Sequence, residues 1–197
     1  MYTYDEFTGL LLHETSKDLI QDDRKSDVLQ GIYRGLQLYF SQIKNQDVTL
    51  ADFVNEGIRA LTLGYPYFVW CDKFSTEAYQ LITAGLLHGI NVAAFATVAY
   101  DDKQMLQIYL GELQGLDTSL YSDVRYSYEK MCIYRQLIKK GVDITRFLDT
   151  RFSYFHLDTI ADCCDYNVDV TELLNPILSQ EDVITISNRL IKEKWKT

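Results

Sequence analysis

Three aspartates recur at a fixed distance and could form a carboxylate ladder for a metal ion. Asp117, Asp143 and Asp169 lie 26 residues apart, and each is followed two positions later by Ser or Thr. This pair is also the pattern of an Asx-type turn or a helix cap, which explains why each Asp stands at the same place after a Gly or Asn. We therefore predict a structural capping role for the three aspartates and no bound metal.

Cysteines and histidines give only fragments of reactive sites. Cys163 and Cys164 with His156 resemble part of a zinc ligand set, but the chain has no second Cys-x-x-Cys or His pair. His13 and His88 stand alone, with no Ser, Cys or Asp at the spacing of a nucleophile. Every glycine is explained by a helix end, so no phosphate-binding loop is evident. We predict packed thiols, structural histidines, no cofactor and no enzymatic activity.

A long acidic stretch is the most informative candidate for binding. No Lys or Arg occurs between Arg151 and Arg189, and three of the aspartates in between fall at i, i+4 and i+7 of a helix. Like charges at such spacing weaken an isolated helix slightly. Either this face is simply solvated, or it docks into a basic groove such as one that normally holds nucleic acid. Tyrosine, of which the chain has 15, is enriched at interfaces. The predicted partner-binding residues are Asp158, Asp162, Asp165, Asp169, Glu172 and Tyr166.

The elements that position these residues repeat every 26 residues from Tyr79 onward. Each unit has a Ser or Asp before an apolar pattern of helical spacing, and then a Gly or Asn about three turns later. Gly ends a helix in the left-handed conformation at the lowest cost, and Asn is the next best residue. A fixed period of this size indicates a stacked array. Equivalent positions are the caps Ser75, Asp101, Ser127, Ser153 and Ser179, the corners Gly89, Gly115, Gly141 and Asn167, and the apolar latch residues Phe95, Tyr121, Phe147 and Leu173.

We predict an all-α fold, an α-solenoid of units that each contain a helix, a Gly corner and a short helix. Residues 1–48 form an N-terminal helical cap and residues 49–197 the repeat array. The clear units are 79–104, 105–130, 131–156 and 157–182, followed by a capping helix at 183–195.

The first part of the chain should also be helical. Thr3 and Glu6 form a capping box for a helix from Tyr4 to about Ile20. Ser26 is expected to cap a second helix. A third helix should end at Gly64, just before Pro66.

Composition limits the classes of function. The chain of 197 residues has a net charge of −9, which disfavours direct binding to DNA or RNA and favours small ligands, neutral surfaces or basic partners. No apolar run is long enough for a membrane span, and the acidic N-terminus is unlike a signal peptide. The four cysteines lack the spacing of a disulfide framework. We therefore expect a cytoplasmic protein with reduced thiols.

One unit carries a resemblance to a known group of proteins. Gln104-Met105, Ile108, Gly111 and the run 115–123 (Gly-Leu-Asp-Thr-Ser-Leu-Tyr-Ser-Asp) resemble a helical-repeat family of bacterial and mobile-element proteins. Its units read approximately Gln-Met-x-x-Ile-Arg-x-Gly-Leu-x-x-Gly-Leu-Asp-Val-Ser-x-Tyr-Ala-x-Pro-x-Phe. The resemblance covers about residues 75–190 and implies a scaffold with no activity attached. The usual Pro of the unit is replaced by Val98, Val124 and Thr150.

Three classes of function follow from these observations. The first is a non-enzymatic protein-interaction module, or in a sharper form a phage or mobile-element inhibitor that blocks the basic channel of a nucleic-acid enzyme, as anti-CRISPR proteins do. The second is an enzyme or ligand-binding protein with a pocket between repeats. The third is a direct nucleic-acid binder that uses Arg135, Lys139, Lys140 and the C-terminal lysines. We favour the first, with a basic partner protein.

Overall fold

The computed structural model describes residues 2–15, 25–43, 47–70 and 74–196. These ranges contain α-helices and short 3₁₀ turns and no β-strand, so the predicted all-α class is confirmed. No helix in these ranges is both long and apolar enough to cross a bilayer. The helices are α1 (Tyr4–Glu14), α2 (Lys25–Gln42), α3 (Leu50–Trp70), α4 (Thr76–His88), α5 (Asp102–Leu113), α6 (Tyr128–Lys139), α7 (Tyr154–Asp165) and α8 (Gln180–Lys194). The 3₁₀ turns span Val92–Ala94, Thr118–Leu120, Thr145–Phe147 and Thr171–Leu173.

The chain divides into two compact units, an N-terminal unit of residues 1–113 and a C-terminal unit of residues 114–197. The N-terminal unit contains α1 to α5 and the C-terminal unit α6 to α8. The cap at 1–48 and the array at 49–197 remain predictions.

An aromatic cluster holds the first helices of the N-terminal unit together. Phe7 of α1 meets Phe53 of α3 edge to face, with ring centroids 5.4 Å apart. The Tyr33 hydroxyl of α2 donates to the carbonyl of Tyr2 at 2.7 Å, and the Tyr2 hydroxyl donates to the carbonyl of Val48 at 2.8 Å. Both hydroxyls thus hydrogen-bond to backbone carbonyls at the edge of the core, while the rings remain packed.

Two glycines let α2 and α4 approach more closely than other residues would allow. A Cβ built on Gly31 would lie 2.3 Å from Cβ of Tyr79, and one built on Gly35 would lie 2.5 Å from Cβ of Thr83. Tyr79 and Thr83 are fully buried on α4. The spacing of four residues places both glycines on the same side of α2, so the two helices pack almost backbone to backbone there.

The predicted corners are confirmed. Gly89, Gly115 and Gly141 have φ of 69°, 67° and 78°, and Asn167 is the one non-glycine residue with positive φ among the described residues, at 52°. At Asn167 the Schellman bonds are complete: its N–H donates to the carbonyl of Cys164, and the next N–H donates to the carbonyl of Cys163, both at 3.0 Å. The single Asn therefore ends α7 by the same geometry as the glycines.

Side chains at the helix starts and latch positions complete each unit. Ser75, Ser153 and Ser179 accept a bond from the N–H three residues later, as predicted, whereas Ser127 has the N-cap backbone conformation but makes no side-chain cap bond. Phe95, Tyr121, Phe147 and Leu173 are all buried. In the C-terminal unit, the backbone carbonyl of a latch residue also accepts a hydrogen bond from the helix before it. The Tyr134 hydroxyl of α6 donates to the carbonyl of Phe147 at 3.0 Å.

Two expectations for the first two helices are wrong. The capping box of Thr3 and Glu6 is confirmed, but α1 ends at Glu14 rather than near Ile20, and residues 16–24 lie outside the described ranges. Because α2 begins at Lys25, Ser26 lies inside the helix rather than capping it.

The predicted end of the third helix at Gly64 is wrong. α3 continues through Gly64 and Pro66 to Trp70. An interior Gly costs a helix about 1 kcal/mol and an interior Pro about 3 kcal/mol, and tertiary packing can override such preferences. Phe53 and Leu61 of α3 are buried in the core of the unit, which holds the helix despite both residues.

Candidate functional site

The three aspartates of the possible metal ladder each close their own turn. The carboxylate of Asp117 accepts bonds from the backbone N–H and the hydroxyl of Ser119, at 3.2 and 2.6 Å. Asp143 and Asp169 bind Thr145 and Thr171 in the same way, and these bonds, first those from the Thr side chains, lower the pKa of both carboxyls. The predicted capping role is confirmed. No group of three or more His, Cys, Asp and Glu in the described ranges is arranged to hold a metal.

A second series of side-chain turns was not predicted from the sequence. Asp123 and Asp149 each accept from the N–H two residues later, at 2.9 and 2.8 Å. They also pair with the guanidinium groups of Arg125 and Arg151, and these hydrogen bonds lower the pKa of each carboxyl to about 2. Thr97 and Asn175 occupy the equivalent positions and make the same turn without a charge. Their 26-residue spacing could have revealed the series.

The cysteine and histidine cluster is packed rather than reactive. His156 is buried, and its Nε2 donates to the carbonyl oxygen of Leu173 at 2.7 Å, while burial lowers the pKa of its ring. Cys163 is fully buried, and burial raises the pKa of its thiol to about 11. Burial also raises the pKa of Cys164. Because the thiolate is the reactive form, neither thiol is activated. Cys71 lies outside the described residues.

The two isolated histidines differ in environment. The side chain of His13 is exposed and lies 3.3 Å from the carboxylate of Glu14. His88, at the end of α4, packs edge to face on Tyr39 with ring centroids 4.9 Å apart, and burial lowers the pKa of its ring. Neither histidine is placed beside a nucleophile in these contacts.

Part of the predicted binding surface is already neutralised within the protein. Asp165 forms an ion pair with Lys140, directly after α6, and Glu172 pairs with Arg189 of α8 at 2.5 Å. Asp169 accepts two hydrogen bonds within its Asx turn and keeps its charge. The ion-paired carboxylates of Asp165 and Glu172 therefore attract a basic partner less strongly than their sequence positions suggest.

The remaining carboxylates on α7 are uncompensated. Asp158 and Asp162 are exposed, and no cation of the described residues lies within ion-pair distance of either. Tyr154, four residues before Asp158, is 49% exposed, and Tyr166, four residues after Asp162, is also 49% exposed. We call these four residues the α7 surface.

The α7 surface combines charge with large apolar groups. Tyr166 meets Trp195, which is 74% exposed, with ring centroids 6.5 Å apart. Exposed aromatic side chains beside uncompensated carboxylates suit contact with Arg or Lys of another molecule. Tyr154 was missed by the sequence analysis, although its spacing of four before Asp158 places it on the same side of the helix.

The arrangement has the chemistry of recognition: it offers hydrogen-bond acceptors, negative charge and aromatic faces, and its carboxylates are not paired with an activated nucleophile. No protein-family model, curated protein or solved structure was found to match the chain.

Proposed function

We propose that the protein is a non-enzymatic interaction module that binds a basic partner protein through the α7 surface. The observation that carries this proposal is the exposed pair Asp158 and Asp162, which forms no ion pair with a cation of the described residues and lies between two half-exposed tyrosines. A net charge of −9 adds long-range attraction toward a basic partner and disfavours a polyanion.

The scaffold we propose for this surface is an α-solenoid of the helical-repeat family that the sequence resembles. The recurrence of one corner geometry supports it: a left-handed residue, a 3₁₀ turn and a buried latch residue return about every 26 residues. In such arrays each unit buries its apolar face against its neighbours, and long binding surfaces are built from successive units.

A sharper form of the proposal is an inhibitor that occupies the basic channel of a nucleic-acid enzyme. The specific observation in its favour is the pair of exposed carboxylates Asp158 and Asp162, one turn apart on α7, which offers negative charge to Arg and Lys that otherwise bind phosphates. This form predicts that nucleic acid competes with the protein for the partner.

The test is affinity capture from the native host with the wild-type chain and with a charge-reversal variant, Asp158→Lys with Asp162→Lys. We expect a basic partner to be captured by the wild-type chain and to be lost from the variant, and its binding to weaken as salt is raised from 50 to 300 mM, roughly the range over which surface charges become screened. The matched control is Asp47→Lys with Glu14→Lys, which makes the same change of net charge at two exposed carboxylates of the N-terminal unit.

Two results would contradict the proposal. Equal loss of binding in the control variant and in the α7 variant would show attraction by total charge rather than by this surface. Undiminished capture by the α7 variant, with an unchanged circular dichroism spectrum, would place the binding surface elsewhere.

A further inference from the structure

A groove between α6 and α7 lies beside the α7 surface. It has a volume of about 250 Å³, and Ile133 and Cys132 of α6 contribute to its lining. Its polar lining comes from Tyr128, Glu129 and Gln136 of α6 and from Tyr154 and Asp158 of α7. Two aromatic rings and two carboxylates thus meet in one concave site within the C-terminal unit.

The field inside the groove is negative. The pKa of the Tyr154 phenol is raised first by the carboxylate of Asp158, then by partial burial, and less by other groups that include the carboxylate of Glu129. Asp158 has no ion-pair partner among the described residues.

The neighbouring cations are engaged elsewhere. The ammonium group of Lys130 donates to the carbonyl of Thr150 at 2.8 Å, and the guanidinium of Arg135 donates to the side chain of Gln114 at 3.2 Å. Lys140 pairs with Asp165 at the other end of the helix pair. The negative charge of Asp158, which has no ion-pair partner among the described residues, therefore has to be balanced by water, salt or a bound partner.

The size of the groove and the side chains that line it determine which kind of cation fits. Its volume is below the roughly 300–1,000 Å³ of sites for drug-sized ligands, which suits a single side chain. No three His, Cys, Asp or Glu side chains of the described residues are arranged to hold a metal ion, so the site fits an organic cation better than a metal ion. A guanidinium is flat, stacks on aromatic rings and donates in parallel to carboxylates, whereas an ammonium is a compact and strongly hydrated point charge.

We propose that this groove receives one arginine side chain of the basic partner, with the guanidinium stacked on the ring of Tyr154 and donating to Asp158. This inference rests on the proposed function and refines it, because it names a single arginine site within the wider α7 surface.

The probe is a fluorescently labelled hexa-arginine peptide, compared with hexa-lysine, in a polarisation titration at low salt. We expect the wild-type chain to bind the arginine peptide about fivefold to tenfold more tightly, since stacking and paired hydrogen bonds are worth roughly 1 kcal/mol or more. Asp158→Asn and Tyr154→Ala should abolish this preference. Asp162→Asn, which removes the same charge one turn further along α7 and outside the groove, should weaken both peptides alike and keep the preference.

The outcomes separate the two proposals. Equal affinity of the wild-type chain for both peptides, or equal behaviour of Asp158→Asn and Asp162→Asn, overturns the arginine site but leaves the α7 surface as a basic-partner surface. Absence of binding of either peptide overturns the groove, while partner capture from the host decides the α7 surface separately. Because Tyr154 is 49% exposed, thermal unfolding of Tyr154→Ala should match that of the wild type and exclude misfolding as the cause.

Discussion

Replacement of Gly31 by Ala should separate α2 from α4 and destabilise the N-terminal unit. The added methyl group would lie 2.3 Å from Cβ of Tyr79 and 3.0 Å from the carbonyl oxygen of Thr76. Carbon atoms in contact prefer about 3.5–4.0 Å, so the two helices would have to move apart by more than about 1 Å. Neither neighbour is the free end of a flexible side chain, so a rotamer change cannot relieve the contact.

The magnitude follows from two opposing effects. Overpacking a core costs about 1–3 kcal/mol, and we take the upper end because the Tyr79 Cβ and the backbone of α4 are fixed. Ala in place of Gly within a helix returns about 1 kcal/mol of helix propensity. The net loss is about 2 kcal/mol, which corresponds to a fall in Tm of roughly 4–8 °C for a chain of this size.

The assay is thermal and urea unfolding followed by circular dichroism, with Gly9→Ala as the matched control. Gly9 lies on the exposed side of α1, and a Cβ there would meet nothing within 4 Å, so this variant should gain about 0.5–1 kcal/mol. If Gly31→Ala is as stable as Gly9→Ala, the close approach of α2 and α4 is refuted.

Variants at three further positions test a corner, a turn and a helix contact of the C-terminal unit. Gly141→Ala should lower the free energy of unfolding in urea by roughly 1–2 kcal/mol, because φ is 78°, which strains the backbone of Ala even though its methyl group would touch nothing. Gly141→Asn should cost less, and equal losses for the two variants would contradict a left-handed corner. The folded pKa of Asp149 is about 2 against an ordinary 3.8, so its contribution to stability is present above pH 4 and lost as pH falls toward 2. Asp149→Asn keeps the turn as Asn175 does, so its Tm should lie below that of the wild type at pH 5 and meet it near pH 2. His156 has a lowered folded pKa, so the unfolded chain takes up a proton first, and stability should fall as pH drops below about 6.5. His156→Gln should weaken this dependence and leave the part that comes from His88, and an unchanged Tm–pH profile would contradict it.

Local features of the fold were predictable from the sequence because a few adjacent residues determine them. A left-handed corner needs only Gly or Asn after the last helical turn, which is why even Asn167 was assigned correctly. The Asx turn at Asp143 likewise depends on a Thr two residues away. Gly64 was misassigned because a glycine can also lie within a helix that tertiary packing stabilises, and the sequence around it does not show that packing.

The candidate site was predictable only in part, because the availability of a carboxylate depends on distant cations. Asp165 meets Lys140, which lies 25 positions earlier, and Glu172 meets Arg189, which lies 17 positions later. The sequence does not show which of these carboxylates is paired with a cation. The structure shows that Asp165 and Glu172 are ion-paired, whereas Asp158 has no such partner among the described residues. The groove between α6 and α7 could not be foreseen, since its shape arises from the packing of two helices.

The range of the side-chain hydrogen bonds has a consequence for the order in which the chain folds. The bonds described for the C-terminal unit join residues 2 to 25 positions apart, as at Asp143 and between Lys140 and Asp165. In the N-terminal unit the Tyr2 hydroxyl reaches Val48, 46 positions away, and Arg34 reaches Glu77, 43 positions away. Closing long loops costs entropy before any contact forms and slows folding. After dilution from denaturant, the C-terminal unit should therefore regain its helices first, and the closure of α1 to α4 should set the slower rate.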